Sequence, residues 1–176
     1  GSDKSVEYTI VRGGVPLPSL RNYFMLKDGV GYVGLTGGFQ ETTAEELDKA
    51  VSELKKQGMK SLMLDLRNNP GGLLPQAIEV VSRFVPEGKT AVSVKGRSRY
   101  SNSQNLLTTG SQYEDFPLVI LQNGGSASAS EIVAGAIQDY GRGLIVGSES
   151  FGKGLVQRIF QLPSGTGLTL TMARYY

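Results

Sequence analysis

The chain has 176 residues, a formal net charge of +2, and neither histidine nor cysteine. That length suits one domain able to bury a core without disulfide or metal support, and the weak charge gives no field for nucleic acid or anionic lipid. Without histidine or cysteine, Ser-His-Asp and Cys-His catalysis and the usual zinc sites are excluded by composition. A serine used as a nucleophile would need lysine, a carboxylate or the amino terminus as its base.

In chain order, Gly1 and Ser2 read as a cloning remnant, which leaves room for a native targeting segment ahead of them. SVEYTIVR alternates as a strand. YFMLKDGVGYVGLT sets Asp28-Gly29 between two apolar runs, a hairpin signal. Thr43 and Glu46 are spaced as a capping box for a helix whose stripe is Leu47, Ala50, Val51 and Leu54 and which stops at Gly58. SLMLDL is a buried strand, RNNPGG a glycine turn, and Leu74, Ala77, Ile78, Val81 and Val85 share one face of a second helix before Pro86.

TAVSVKG reads as a strand and the polar stretch 97–114 as a long loop. PLVILQ is a further strand, NGGSAS a tight turn, and ASEIVAGAIQDY a third helix rich in small residues. GLIVG is a short strand, and LVQRIFQL and GLTLTMARYY form a hairpin across the turn 163–167. Strand-helix alternation predicts an α/β domain with a largely parallel sheet, helices packed on it, and antiparallel strands at the chain ends. No apolar run approaches the roughly 18 residues of a membrane span.

Two residues stand out for chemistry. Ser128 falls where a strand hands over to a helix, near unsatisfied N–H groups and the positive end of the helix dipole. It reads either as a nucleophile or, with Glu131, as the S-x-x-E capping box of the third helix. Lys153, between two glycines, reads as an exposed turn lysine or as the base that takes the serine proton. GSESFGK also approaches a phosphate-binding loop, but Gly154 stands where that pattern needs Ser or Thr, and a strand follows where a helix is required. No nucleotide partner is therefore expected. Gln157, four residues past Lys153 along a predicted strand, falls on the same face and could orient the amine. Backbone N–H groups of Gly71 or Gly72 in RNNPGG, with that of Ala129, could stabilise an oxyanion. The bland counterpart is a plain turn leading into a helix.

LDLRNNPGGLL, GGSASASEIVAGAIQDYGRGLIVG and SFGKGLVQRIFQLPSGTGLTLTMARYY together resemble the core of the carboxy-terminal processing proteases, the tail-specific serine proteases of peptidase family S41. The likeness runs from residue 6 to the last residue. It implies a ClpP/crotonase-like fold, Ser128 as nucleophile, Lys153 as general base, Gln157 as the residue orienting the lysine, and Ala129 with Gly72, favoured over Gly71, as oxyanion donors. An aspartate matching Asp139 has a charge-relay role in some members; three turns of helix separate it from Ser128. No metal or cofactor is implied. Protein or peptide C-terminal tails are the implied partners, and a periplasmic or otherwise extracytoplasmic location follows by resemblance.

Members carry a PDZ domain ahead of this stretch and further residues beyond ARYY. The expected organisation is therefore residues 3–176 as a protease core without those parts. An uncovered sheet edge or apolar patch would then favour self-association. The alternative function is a catalytically inactive scaffold of the same fold.

Overall fold

The computed structural model describes residues 8–9, 12–13, 17–97, 103–110 and 114–176. Most of the strand predicted for SVEYTIVR lies outside them. The first described hairpin pairs β1 (Asn22–Met25) with β2 (Val30–Gly34) in antiparallel register. Asp28 and Gly29 make its turn with φ of 60° and 76°, the left-handed region that an Asp-Gly pair tolerates. Beyond it come α1 (Thr43–Lys56), β3 (Ser61–Asp65), α2 (Leu74–Ser82), β4 (Thr90–Gly96), β5 (Gln104–Leu107), β6 (Leu118–Gln122), α3 (Ala129–Asp139) and β7 (Leu144–Gly147). The hairpin β8 (Leu155–Gln161) and β9 (Gly167–Tyr175) ends the chain.

One sheet runs β1-β2-β3-β6-β7, and within it β2, β3, β6 and β7 are mutually parallel. The second is antiparallel, in the order β5-β4-β9-β8. This is the expected α/β architecture, with antiparallel strands at both chain ends. TAVSVKG, read as a strand, is β4 of the second sheet. The stretch 97–114 is also not one long loop, because its residues 104–107 form β5 on the edge of β4. QNLL is too short to display a period. It becomes a strand because β4 offers a free edge, Leu106 packs against the core, and the Ser93 hydroxyl meets Asn105 Oδ1 at 2.8 Å.

The core lies between the parallel sheet and the three helices. Leu47, Ala50 and Leu54 of α1, Ala77, Val80 and Val81 of α2, and Val133 and Ile137 of α3 pack with Val33, Leu62, Leu64 and Ile120 of the strands. Each such large side chain contributes about 1.5–3 kcal/mol by leaving water. The predicted Thr43–Glu46 box does not form. Thr43 is already inside α1, and its hydroxyl bonds the Gln40 backbone. Glu46 instead accepts the N–H groups of Ser19 and Leu20, each at 2.9 Å, and the Thr42 hydroxyl at 2.6 Å. Those amides lie 26 and 27 residues away and offered the carboxylate a better-placed pair of donors than its own helix start.

Candidate active site

Parallel strands leave their carboxyl ends open, and the turns that follow β3 and β6 meet there. After β3, Asn69 organises the first turn. Its Nδ2 donates to Leu35 O at 2.6 Å, its Oδ1 accepts Gly71 N–H at 2.9 Å, and its backbone oxygen accepts both Ala127 N–H and the Ser130 hydroxyl at 3.0 Å. Asn68 and Asn123 add a second tie through Asn68 N–H to Asn123 Oδ1 at 2.9 Å and Asn123 Nδ2 to Asn68 Oδ1 at 3.1 Å. Ser126 Oγ donates to Leu66 O at 2.8 Å. The two turns are thus one unit.

That unit places Gly71 against Ser128. A Cβ at Gly71 would come within 2.7 Å of Ser128 Cβ and 2.6 Å of Ala127 O, and its φ of +92° is one that side chains rarely adopt. Glycine is needed here for close approach as well as for conformation. Gly72 bridges Phe39, and a Cβ there would run into the Phe39 backbone. The N–H of Gly71 is engaged by Asn69. The N–H groups of Gly72 and Ala129 have no acceptor among the described residues.

Ser128 itself has φ 56° and ψ −112°, a strained conformation for a residue with a side chain. Its N–H donates to Glu131 Oε2 at 2.6 Å, which is one half of the capping box read from the sequence. The carboxylate does more than cap. It also accepts Lys153 N–H on Oε2 at 2.9 Å, Gly152 N–H on Oε1 at 2.6 Å and the Ser150 hydroxyl on Oε1 at 2.7 Å. Phe151 N–H reaches Ser126 O at 2.9 Å and completes the anchoring of this turn.

Ser128 and Lys153, both half-buried, consequently line one cavity of about 290 Å³. Its apolar wall comes from Ala91, Val92, Ile132 and Ala136, and Tyr175 and Tyr176 close one side. Burial raises the Tyr175 hydroxyl pKa above its usual value, so this group is a neutral donor at ordinary pH. Asp139 also lines the cavity, exposed at the end of α3 remote from Ser128.

The structure brings Ser128 and Lys153 to one cavity and sets Gly71 against Ser128 and Ala129, but no hydrogen bond joins Ser128 Oγ to Lys153 Nζ. Gln157 is exposed, lies outside the cavity, and has no side-chain bond to Lys153. It pairs with Thr171 beside a shift in the β8–β9 register between Val156 and Gln157. Glu131 and Asn69 were not read as site residues. The S-x-x-E spacing contained the first signal, but its second set of donors comes from a loop nineteen to twenty-two residues on.

Behind the first turn, Asp65 is buried at 2% exposure at the end of β3 and paired with Arg67. Burial alone would raise its pKa. Hydrogen bonds from the Arg67 side chain and backbone, the Tyr32 hydroxyl at 2.8 Å and the guanidinium charge outweigh it and hold the carboxyl below its ordinary value. Tyr32 shifts upward through burial and its bond to that carboxylate.

Taken with the fold, these contacts define an α/β domain with its site at the carboxyl ends of parallel strands, where a strained serine and a lysine share one cavity. Residues 29–176 match the sequence profile of Peptidase family S41, and the chain belongs to that family. It is 42% identical over 146 residues to a carboxyl-terminal-processing protease of Picosynechococcus sp., covering 83% of this chain and 34% of the relative. Over 180 residues it is 40% identical to a carboxy-terminal-processing protease of Bartonella bacilliformis, covering 100% of this chain and 41% of that one. A solved photosystem II D1 C-terminal processing protease superposes with a TM-score of 0.71 at 35% identity, over 92% of this chain and 42% of the other. The chain therefore spans well under half the length of these relatives. Among the described residues no helix is long and apolar enough to cross a membrane.

Proposed function

We propose that this chain is the catalytic core of a serine endopeptidase that cleaves protein substrates near their C-termini through an acyl-enzyme. Ser128 Oγ attacks the scissile carbonyl carbon while its proton passes to Lys153 Nζ. The oxyanion formed accepts from Ala129 N–H and Gly72 N–H, the latter preferred because Gly71 N–H already serves Asn69. Collapse breaks the C–N bond, and the leaving amine takes the proton from Lys153. Water then attacks the ester with Lys153 as base, which releases the new carboxylate terminus and restores Ser128.

The observation that carries this reading is the strained φ of Ser128 at the start of α3, on the same cavity as Lys153 and next to the unused N–H of Ala129. The absence of a Ser128–Lys153 hydrogen bond is compatible with it, since catalytic hydrogen bonds often tighten only when substrate binds. Gln157 is assigned the orienting role on the same terms. Gln157 lies outside the cavity, so that role needs the Gly152–Gly154 turn to bring the amine toward it. The preference for C-terminal tails rests on the processing activity for which the relatives are named, and an extracytoplasmic location on the family resemblance alone.

A second reading, an inactive scaffold of the same fold, is favoured by one observation, the missing hydrogen bond between Ser128 and Lys153. Labelling by a fluorophosphonate separates the two. Covalent modification at Ser128 that is lost in Lys153→Ala supports the protease, because reaction needs an activated hydroxyl. No labelling of the wild-type chain supports the scaffold. Self-association is proposed through the β8–β9 hairpin. Among the described residues β9 pairs with β4 through 173–175 alone, and Ile159, Leu168 and Leu170 are 71%, 49% and 47% exposed. Light scattering across a concentration series would show a mass above the 18.8 kDa monomer.

A further inference from the structure

Gly135 lies in the interior of α3, where glycine destabilises a helix relative to alanine. The two structural reasons for keeping a glycine do not apply. It is absent from the residues with positive φ, so no unusual backbone conformation demands it. A Cβ built on it meets nothing within 4 Å, so no neighbour demands the space either. By contrast, a Cβ on Gly143 would strike Leu118 O at 2.7 Å. What lies over Gly135 is the cavity that contains Ser128.

We propose that Gly135 is a specificity-determining position whose missing side chain is the room for a neutral apolar residue on the acyl side of the scissile bond. The inference rests on the acyl-enzyme reading above. In that intermediate the carbonyl carbon is bonded to Ser128 Oγ, so the acyl residue's own side chain is the substrate group nearest the cavity. Seven residues along α3 place Gly135 about 10 Å from Ser128 along the helix axis. An alanine side chain stops well short of that point, while leucine and phenylalanine extend toward it. Ala91, Val92, Ile132 and Ala136 offer such a side chain an apolar wall. An acidic one would meet the Glu131 and Asp139 carboxylates.

The test uses peptides identical except for Ala, Leu, Phe or Glu at the residue that supplies the scissile carbonyl. They are assayed with the wild-type chain, Gly135→Ala, Gly135→Leu and a Ser128→Ala control. Gly135→Leu should lower kcat/KM on the Leu and Phe peptides at least tenfold and leave the Ala peptide within about twofold. Gly135→Ala should raise Tm by about 2–4 °C, because it removes a helix glycine that packing does not need. A parallel loss across all peptides, or a lower Tm for Gly135→Ala, overturns this inference alone. If the wild-type chain shows no Ser128-dependent cleavage of any peptide, the acyl-enzyme reading fails and this inference falls with it.

Discussion

Glu131 Oε2 accepts the backbone N–H of Lys153 at 2.9 Å, and the same oxygen accepts that of Ser128 at 2.6 Å. A single carboxylate thereby locks the turn that carries the proposed base to the start of the helix that carries the proposed nucleophile. Glutamine cannot replace it. An amide has one acceptor oxygen, and its NH2 would face N–H donors that need acceptors. Glu131→Gln should lower kcat on the order of a hundredfold, the effect of about 1 Å of misplacement, with a much smaller change in KM. Separate determination of kcat and KM, with circular dichroism to check the fold, decides it. An unchanged kcat would show that the two turns hold their places without the carboxylate.

Ser128→Ala and Lys153→Ala should each abolish most turnover, by a thousandfold or more, and the double variant should be little worse than either, because groups acting as a unit are not additive. Lys153→Arg should not restore activity, since guanidinium does not deprotonate at working pH. Steady-state kinetics on one peptide substrate measures all four. Near-normal turnover by Lys153→Arg would remove lysine as the base.

Gly71→Ala should destabilise the fold by roughly 1–3 kcal/mol and eliminate fluorophosphonate labelling of Ser128. The added methyl must displace Ser128 or the Ala127 carbonyl, and the φ of +92° is strained for alanine. Urea denaturation and mass spectrometry of the labelled protein report the two effects independently. Normal labelling of the variant would mean that the serine does not depend on this contact.

Arg67→Ala should destabilise the chain at pH 7 by on the order of 1–3 kcal/mol, between the values for exposed and buried ion pairs, because Arg67 is half-exposed while Asp65 is not. The sign of the pH dependence follows from the depressed Asp65 carboxyl. Its contribution is fully present above the unfolded value of about 3.9 and is lost as pH falls through the lower folded one. The stability gap between wild type and variant should therefore narrow below about pH 4. Thermal melts from pH 7 to pH 3 measure it, and a gap that widens on acidification would contradict the assignment.

The helices and the parallel strands were legible in the sequence because their signals are local. The stripe Leu47, Ala50, Val51 and Leu54, the apolar run SLMLDL and the Asp28-Gly29 turn each follow from backbone geometry over a few residues. The placement of Ser128 and Lys153 as candidates was equally local, from glycine turns and from the absence of histidine. QNLL was read as loop because strand pairing depends on a partner edge. The Thr43–Glu46 box was misread because a carboxylate goes to the best-placed donors, and those belonged to Ser19 and Leu20.

By itself, then, the amino-acid sequence determined the α/β class, the exclusion of histidine and cysteine chemistry, and which serine and lysine could matter. Only tertiary structure decided that Glu131 serves two turns at once, that Asn69 holds Gly71 against Ser128, and that Gln157 lies outside the cavity that Lys153 lines. The physical reason is range. Backbone propensity and side-chain periodicity act within a turn or two, whereas hydrogen bonds that assemble a site join residues separated by tens of positions and exist only once the sheet has brought its strand ends together.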